Sequence, residues 1–412
     1  MYTPTLPVPP PLRGAEPGSF AERSITQRLP HIAQRVLAEN TLPAPVANRI
    51  EAFITTIPHG LIQPFPDTDA ADMPGWQQYV APYVDHNWLQ VPWFFAETYF
   101  YRRLIAIVDF FRTGLDPFIY QKHQSLQITV ERTRALATQV QHLLANSWQP
   151  ESVIHLLTLA LWMNQADMSL WAADDVTQPS HLDADSQQAH LLVNDAVAVT
   201  HYLTSLSSAQ HIRPTRVDCL LDNAGFELLG DLCLTDYLLS TDQVHTVRWH
   251  LKLHPTFVSD ATMADVHATL AFLTNDADAA LQALAERLQR FLTNGRWLLH
   301  THPFWTSPLP MWEMPDDLRQ VLAGVHLVIS KGDANYRRAL GDAHWPFTTP
   351  FADVVSYFPA PIVFLRTCKA EVIVGLSSTQ VHDLMQHDPE WLTNGKWGVM
   401  QFARGNHRSL RR

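Results

Sequence analysis

The sequence predicts an α/β protein in which a mostly parallel sheet, covered by helices on both faces, follows an all-helical N-terminal domain. Three observations support this fold class. Helical apolar periodicity fills residues 19 to 175, and short continuous apolar runs alternate with helical patterns from residue 188 onward. A polar stretch at 174 to 187, "DDVTQPSHLDADSQ", separates the two parts and is the candidate linker. Continuous apolar strands that alternate with helices are typical of parallel sheets buried on both faces.

The N-terminal part begins with a proline-rich stretch, residues 1 to 18, for which we expect an extended or disordered chain. From residue 19 the apolar residues recur at helical spacing, which places Ile25, Leu29 and Ile32 on one stripe. The segment "WFFAETYFYRRLIAIVDFF" at 93–111 is apolar nearly all round, and it therefore predicts a buried helix. Segments 126–147 and 150–171 continue the same period.

The second part, residues 188 to 400, is expected to hold the sheet. Its apolar runs predict strands at 190–194, 216–221, 246–253, 296–302, 325–332, 362–367 and 371–376. Helical patterns fill several of the intervals, at 260–273, 278–292 and 315–322. Residues 401 to 412 are rich in arginine, and we interpret them as a solvated basic tail.

Composition narrows the class of partner. The net charge of −11 argues against general nucleic-acid binding, because no basic surplus is present to neutralise phosphates. Three widely spaced cysteines form neither a disulfide framework nor a thiolate zinc site, and they fit a reducing compartment. The apolar run at 156–163 is far shorter than the ~20 residues needed to cross a bilayer. We therefore expect a cytoplasmic protein with no membrane partner.

Polar side chains follow several of the predicted strands. In open parallel α/β sheets, ligands bind at the carboxyl ends of the strands. The run at 216–221 is followed by Asp222 and Asn223, with Glu227 just inside the next helix. Two further strand ends carry "KGDANYR" at 331–337 and "RTCK" at 366–369. The sequence therefore predicts a polar site where these strand ends meet.

The residue types at these strand ends favour a divalent cation beside an oxyanion. Asp222, Asn223 and Asp333 offer hard oxygen ligands, which suit Mg²⁺ or Mn²⁺ better than zinc or copper. Lys331, Arg366 and Lys369 supply positive charge near the same place, and arginine can hold an oxyanion in two places at once. A divalent ion beside such cations is the arrangement that phosphoryl-group hydrolysis requires.

Structural roles for the same residues remain open from the spacing alone. Asp222 or Asn223 could cap the following helix, and Glu227 could favour the helix dipole in its first turn. Asp333 could be a turn residue, and Asp260 is most simply an N-cap before "ATMADVHATL". Arg366 and Lys369 could be surface charges. The 21 histidines show no paired metal-binding spacing, so we interpret them as scattered surface or core residues.

The same blocks resemble a known family. "DNAGFELLGDL", "KGDANYRR" and "RTCKAEVIVGL" are similar to three signature blocks of the damage-control phosphatases, in particular their acidic-residue-methyltransferase-like branch. "SFAERSITQRLPHIAQRV" and "PWFFAETYFYRR" resemble the helical N-terminal region of that branch, and "FVSDAT" and "HPFWTSP" also fit. The resemblance runs from about residue 19 to about residue 380.

The resemblance implies a Rossmann-like α/β/α domain and a metal-dependent phosphatase of small phosphorylated metabolites. Typical substrates would be sugar phosphates such as fructose 1-phosphate or fructose 6-phosphate, with Mn²⁺ or Mg²⁺, or else Co²⁺ or Ni²⁺, as the ion. The implied metal ligands are Asp222, Asn223 and Asp333. The block Arg-Thr-x-Lys, with Arg366, Thr367 and Lys369, matches the phosphate-binding positions, and Glu227 matches an acid beside the site. Cys368 and Glu371 replace the usual Leu and Asp without removing a ligand.

These expectations define one mechanism and two rivals. A water molecule, rather than Asp222 itself, is expected to attack phosphorus, with Glu227 orienting it. Lys331 joins the block residues as a substrate contact, and Glu97 with Arg102 either closes over the sugar or forms a buried ion pair. The rivals are a carboxyl methyltransferase that uses S-adenosylmethionine and a non-catalytic sensor of sugar phosphates. No glycine-rich cofactor loop supports the first rival. Asn194 and Asp195, after the first strand, receive no role.

Overall fold

The computed structural model describes residues 2–66, 69–163, 188–208 and 214–405. The predicted linker at 174 to 187 lies outside these residues, as do residues 406–412 of the expected basic tail. Inside the described ranges, no helix is long and apolar enough to cross a membrane.

The helices before the sheet follow the predicted periodicity. They are α1 (Phe20–Arg23), α2 (Leu29–Glu39), α3 (Ala44–Ile54), α4 (Met73–Val80), α5 (Trp93–Ile107), α6 (Phe110–Thr113), α7 (Ile119–Ile128), α8 (Val130–Leu144) and α9 (Pro150–Trp162). A π-helical turn, Ser24–Arg28, joins α1 to α2. Nearly every side chain of α5 is buried, which confirms the prediction made from its all-round apolar sequence.

The sheet has seven strands, which are β1 (Leu191–Asn194), β2 (Arg216–Leu220), β3 (Thr246–Leu251), β4 (Trp297–Thr301), β5 (Leu327–Lys331), β6 (Ile362–Thr367) and β7 (Gly398–Ala403). The helices between them are α10 (Ala196–Ser208), α11 (Phe226–Ser240), α12 (Met263–Asn275), α13 (Ala279–Thr293), α14 (Asp316–Ala323), α15 (Asp333–Ala339), α16 (Phe351–Val354) and α17 (Ser378–His387). The predicted helices at 260–273, 278–292 and 315–322 are confirmed as α12, α13 and α14.

The spatial order of the strands is β1-β7-β6-β5-β2-β3-β4. The five strands from β6 to β4 are parallel to one another, whereas β7 is antiparallel to β6 and β1 is parallel to β7. The predicted mostly parallel sheet is therefore confirmed. β1 runs antiparallel to the central strands. Its carboxyl end, with Asn194 and Asp195, therefore lies on the side of the sheet where β2 and the other central strands begin.

The strand order reverses at the centre of the sheet. From β2 the chain moves outward to β3 and β4, and it then returns to the other side of β2 to form β5. The crevice between the carboxyl ends of β2 and β5 is therefore the topological switch point, where open α/β sheets bind their ligands.

Helices cover both faces of the sheet. Leu220, Val328 and Phe364 face a core shared with α5, α14 and α16. The alternate residues of the same strands face a second core, which α8 to α13 complete. Helices α8 and α9 precede residue 175 but pack against the sheet-covering helices, so contacts run across the predicted division of the chain. The division into domains stays a prediction.

The predicted strand at 371–376 is wrong. These residues form an irregular segment, although Val372 and Val374 are buried. Side chains replace a strand ladder as their partners. Arg366 donates to the carbonyl of Val372, and the hydroxyl of Tyr336 accepts from the amide of Val374. The strand that the sequence did not reveal is β7, which lies between β1 and β6. It ends at Ala403, past the expected domain end at residue 400.

The proline-rich N-terminus is anchored at Leu12. This side chain is buried, and its amide donates to the carbonyl of Asp342 over 2.8 Å. Its carbonyl accepts from the amide of Trp93, also at 2.8 Å. The segment thus contacts both α5 and the loop after α15.

A buried lysine, Lys122 of α7, joins the helical region to the sheet region. Its ammonium lies 2.9 Å from Asp116 and 2.9 Å from Asp265, the first-turn acid of α12. Burial alone would lower the pKa of Lys122, but the two carboxylates outweigh burial and raise it. The ammonium therefore remains charged in the interior.

We expect Lys122→Met to lower the free energy of unfolding by about 3–5 kcal/mol, because it leaves two buried carboxylates without their cation. Urea denaturation measures this change. Arg112→Met removes a partner of Asp109 at an exposed site, with 78% of the arginine side chain accessible, and should cost less than about 1 kcal/mol. Equal losses in the two variants would contradict the structural role of Lys122.

Candidate active site

The ends of β2 and β5 touch each other at the switch point. Gly332, directly after β5, has a φ of 81°, and a Cβ placed on it would lie 1.9 Å from Oδ2 of Asp222. Only glycine can occupy this position without displacing the carboxylate. Two strand ends that are far apart in the sequence thus meet around Asp222, as the strand-end rule predicts.

Asp222, Asn223 and Glu227 form one buried hydrogen-bonded cluster. The side-chain amide of Asn223 donates to Oδ2 of Asp222 over 3.0 Å and to Oε2 of Glu227 over 2.8 Å. Its Oδ1 accepts from the hydroxyl of Ser259 at 2.7 Å. None of the three is a side-chain cap of α11, whose N-cap residue is Gly225.

The loop after β3 pairs with the residues after β2. The amide of Ala261 donates to the carbonyl of Asp222, and the amide of Ala224 donates to the carbonyl of Ser259, both over 2.7 Å. Asn223 and Asp260 are therefore opposite each other in an antiparallel bridge. Residues opposite each other in such a bridge point to the same side.

Asp260 is a candidate site residue to which our sequence analysis gave a different role. We expected an N-cap, but the N-cap of α12 is Thr262, which forms a capping box with Asp265. The buried ammonium of Lys252 lies 2.8 Å from Oδ2 of Asp260 and donates to the carbonyl of Leu221 over 2.9 Å. The position of Asp260 after β3, within the block "FVSDAT", was the available signal.

Asp333, at the start of α15, is held by Arg366 from the end of β6. Nε of Arg366 donates to Oδ1 of Asp333 over 2.7 Å, and the amide of Lys369 donates to the same oxygen over 3.4 Å. The structure thus brings the third strand end to the site. No described carboxylate or amide from β1 joins it there.

Arg366 is fully buried, and the structure places its hydrogen bonds inside the protein. Besides Asp333, it donates to the carbonyls of Ala370 and Val372 and lies 4.4 Å from the ring centre of Tyr336. Burial alone would lower the pKa of Arg366, but Asp333 and other neighbours raise it. The guanidinium therefore positions Asp333 and the 370–372 segment, whereas the sequence predicted contact with phosphate.

Lys331 is also buried, beneath Glu227. Its ammonium donates to Oε1 of Glu227 over 2.9 Å and to Oδ1 of Asp231 over 2.8 Å. Burial alone would lower the pKa of Lys331, but the two carboxylates raise it. We predicted that Lys331 contacts the substrate. In the structure its ammonium is instead bonded to Glu227 and Asp231.

Asp231 gives this network a pH dependence. Burial raises its pKa to about 7, although Lys331 acts in the opposite direction. An unfolded aspartate titrates near ~3.9, so the folded chain holds this proton more tightly. The stability that Asp231 contributes is therefore complete below about pH 4 and is lost as the pH rises through about 7.

We expect Asp231→Asn to remove that pH dependence. In urea denaturation, the free energy of unfolding of the wild type, minus that of the variant, should fall between pH 4 and pH 7. The exposed Asp353 provides a control, and Asp353→Asn should follow the wild type throughout. Parallel curves for the wild type and Asp231→Asn would show that Asp231 is ionised across the range.

The remaining predicted contacts separate into two groups. Thr367 is the last residue of β6, and Lys369, two residues later, contacts Asp333 through its amide. Both are buried. Glu97 lies instead in a buried ion pair with Arg28 and with Arg337, whose Nη1 donates to it over 2.6 Å. Arg102 pairs with Asp72 through two hydrogen bonds of 2.7 and 3.0 Å. Glu97 and Arg102 thus each form an ion pair, but not with each other.

The donor atoms at the switch point suit a hard divalent cation. The carboxylates of Asp222, Asp260 and Asp333 and the amide oxygen of Asn223 are oxygen donors of the kind that Mg²⁺ and Mn²⁺ take. Because Gly332 has no side chain, the carboxylate of Asp222 can lie directly against the backbone at this point. Among the described residues, no group of three or more His, Cys, Asp or Glu side chains is arranged to hold a metal ion. The predicted ligand set, Asp222, Asn223 and Asp333, is of a different kind, because it contains only two acidic residues and its third member is an asparagine.

Comparisons with known families and protein sequences agree with the resemblance in the sequence. Residues 24–385 match the family described as the damage-control phosphatase ARMT1-like domain. The chain is 32% identical to damage-control phosphatase ARMT1 of Danio rerio, with 94% of this chain and 95% of that protein covered. It is 31% identical to the protein of the same name from Homo sapiens, with 96% and 98% covered. A crystal structure of a DUF89 family protein from Pyrococcus horikoshii is 15% identical, with a TM-score of 0.46 over 91% of this chain and 97% of that one.

Proposed function

Because the chain belongs to the damage-control phosphatase ARMT1-like family, we propose that it hydrolyses small phosphorylated metabolites with the help of Mn²⁺ or Mg²⁺. We propose sugar phosphates of the fructose 1-phosphate or fructose 6-phosphate type as substrates. The observation that carries the proposal is the contact of Gly332 with Asp222, since it brings oxygen donors from two strand ends together beside a third.

Asp222 and Asn223 would hold the cation, together with one further carboxylate. The sequence favours Asp333 for that place, and the backbone pairing of Asn223 with Asp260 supports Asp260 as the competitor. A divalent ion held there would neutralise the phosphoryl oxygens and lower the pKa of a bound water.

Glu227 has the geometry of a group that orients the attacking water. Asn223 and Lys331 donate to its two oxygens, so the carboxylate is fixed in direction. Glu227 lies beside the proposed ligands, because it accepts a hydrogen bond from Asn223. We propose that Glu227 accepts the proton of the water, while Asp222 stays committed to the cation and does not attack phosphorus.

Lys369 and the block at the end of β6 would stabilise the charge on the transferring phosphoryl group. Lys369 supplies an ammonium group from the segment after β6, and Thr367, the last residue of β6, supplies a hydroxyl. Arg366 contributes indirectly, because it fixes Asp333 and the turn that carries Lys369. Preorganised donors of this kind stabilise charge without rearranging during the reaction.

Phosphate release from a broad panel of sugar phosphates, with Mn²⁺, Mg²⁺, Co²⁺ or Ni²⁺ added in turn, tests the proposal. We expect turnover that requires a divalent ion and that chelation abolishes. Calorimetry with S-adenosylmethionine should show no binding. Absence of phosphate release from every ester under every ion would remove the proposal.

A further inference from the structure

A cavity of about 320 Å³ opens between α4, α5 and the loop that follows β4. The aromatic rings of Tyr79, Tyr83, Phe94 and Phe95, together with five prolines, form its walls. Buried side chains form its floor, and exposed ones, including Glu313, form its rim. The residues of the candidate active site do not line it.

Arg338 lies at the floor of this cavity with an unusual set of partners. It is 2% exposed, and Nη1 donates to the carbonyls of Ser307 and Leu309, both over 2.7 Å. Nη2 donates to the carbonyl of Trp305 over 3.2 Å, whereas Nε has no hydrogen-bond partner among the residues that the structure describes. The guanidinium also lies 4.9 Å from the ring centre of Phe94. Carbonyls and rings carry only partial charges, so the full charge of Arg338 is not neutralised.

Other deeply buried arginines differ from Arg338 in this respect. Arg102, Arg337 and Arg366 each donate to a carboxylate. In the described part of the chain, Arg338 has no carboxylate within ion-pair distance. Arg319 lacks one as well, but it does not line the cavity. An uncompensated buried charge is costly, and arginine is suited to binding a carboxylate or phosphate in two places.

We propose that this cavity binds a small organic anion whose carboxylate or phosphate meets Arg338 and whose ring lies between the aromatic walls. The guanidinium lines the cavity and has no carboxylate partner among the described residues, so the anion would supply its counter-charge. Glu313 at the rim would accept a hydrogen bond from a hydroxyl or amino group at the far end of the ligand. None of the residues proposed for the phosphatase site lines this cavity, and the proposal does not depend on that function.

The electrostatics of Arg338 agree with this geometry. Burial lowers the pKa of Arg338 to about 9, while the carboxylate of Asp260 and the hydroxyl of Tyr79 raise it only in part. A bound anion would raise the pKa of Arg338 again, because it would favour the charged form. The neighbouring Arg337 shows the effect of such a partner, because its pKa is raised beside Asp342 and Glu97.

Two pairs of probes test the site on the unmodified protein. 4-Hydroxybenzoate and the uncharged 4-hydroxybenzamide have the same shape, so titration calorimetry should show binding of the acid at least about tenfold tighter than that of the amide, the factor expected for loss of a charge-assisted hydrogen bond. Phenylphosphonate, compared with benzoate, decides between phosphate and carboxylate. Equal affinity of the acid and the amide, or no binding of any anion, would overturn the proposal.

Three variants test whether the probe binds in this cavity. Arg338→Gln, which keeps donors for the nearby carbonyls, should weaken 4-hydroxybenzoate at least tenfold. Glu313→Gln changes only the exposed rim and should weaken 4-hydroxybenzoate several-fold but leave benzoate unchanged, so it serves if Arg338→Gln does not fold. Asp222→Asn should keep the binding even where phosphate release is lost. Unchanged affinity in both cavity variants, or loss of binding in Asp222→Asn alone, would refute this location.

Discussion

Replacing Asp222 with asparagine should reduce divalent-ion-dependent phosphate release at least as much as the loss of a strong charge-stabilising group in other enzymes, which is roughly 10²–10³-fold. The substitution keeps the shape of the side chain that lies against Gly332 but removes its charge. It also replaces the acceptor that Asn223 uses by a neutral amide. The charge of the cation would then lack its principal counter-charge at the switch point.

The control for this variant is Asp195, which lies on the side of the sheet where the central strands begin. Asp195 accepts from the amide of Phe402 over 2.8 Å and is remote from the carboxyl end of β2. Asp195→Asn should retain phosphate release within about twofold, and thermal melting should show that both variants are folded. Full activity in Asp222→Asn would contradict the proposed role of Asp222 and with it the proposed ion site.

The second large effect concerns the third carboxylate. We expect Asp260→Asn to weaken Mn²⁺ binding by more than the roughly 10–100-fold that the loss of an outer-shell partner costs. The reason is geometric, because Asp260 is opposite Asn223 in a backbone bridge, whereas Oδ1 of Asp333 accepts from Arg366. Asp333→Asn should therefore fall within that outer-shell range.

Mn²⁺ titration followed by electron paramagnetic resonance measures both affinities directly, without reference to turnover. Asp195→Asn again serves as the matched aspartate control and should bind Mn²⁺ as the wild type does. Urea denaturation of Asp260→Asn separates loss of the ion from loss of structure, since this variant also removes the partner of Lys252. A larger loss in Asp333→Asn than in Asp260→Asn would assign the third place to Asp333, as the sequence predicted.

Predictions from the sequence succeeded where the signal was local. The strands at 216–220, 246–251, 327–331 and 362–367 have continuous apolar runs bounded by polar residues, and each forms in the structure close to its predicted ends. The apolar period likewise predicted α5 and the helices that cover the sheet. Polar residues after such strands could be identified as a candidate site before any contact was known, because parallel strands end at a common edge.

The same reasoning failed where a partner distant in the chain decided the conformation. The segment at 371–376 is as apolar as a strand, but the side chains of Arg366, Tyr336 and Gln401 bond to the backbone of Val372 and Val374, and the segment joins no ladder. Strand β7 carries Gln401 in an otherwise apolar run and follows a polar loop, which weakens its strand signal. Its pairing with β6 through six registered residues forms it nonetheless.

The partners of charged side chains also needed the tertiary structure. Lys331 and Arg366 carry the charges that a phosphate site needs, yet their own carboxylate partners lie on other elements of the chain. Arg338 shows the converse, since only the fold reveals that this buried arginine has no described carboxylate within ion-pair distance.

By itself the sequence determined the fold class, the family, most strands and helices, and the residues that follow each strand. It did so because apolar periodicity and short polar blocks are local properties of the chain. Only the tertiary structure decided that β5 returns to the side of β2, that Asp260 pairs with Asn223, and that Arg366 holds Asp333. Those choices depend on which distant segments bury surface and exchange hydrogen bonds, and no local pattern records them.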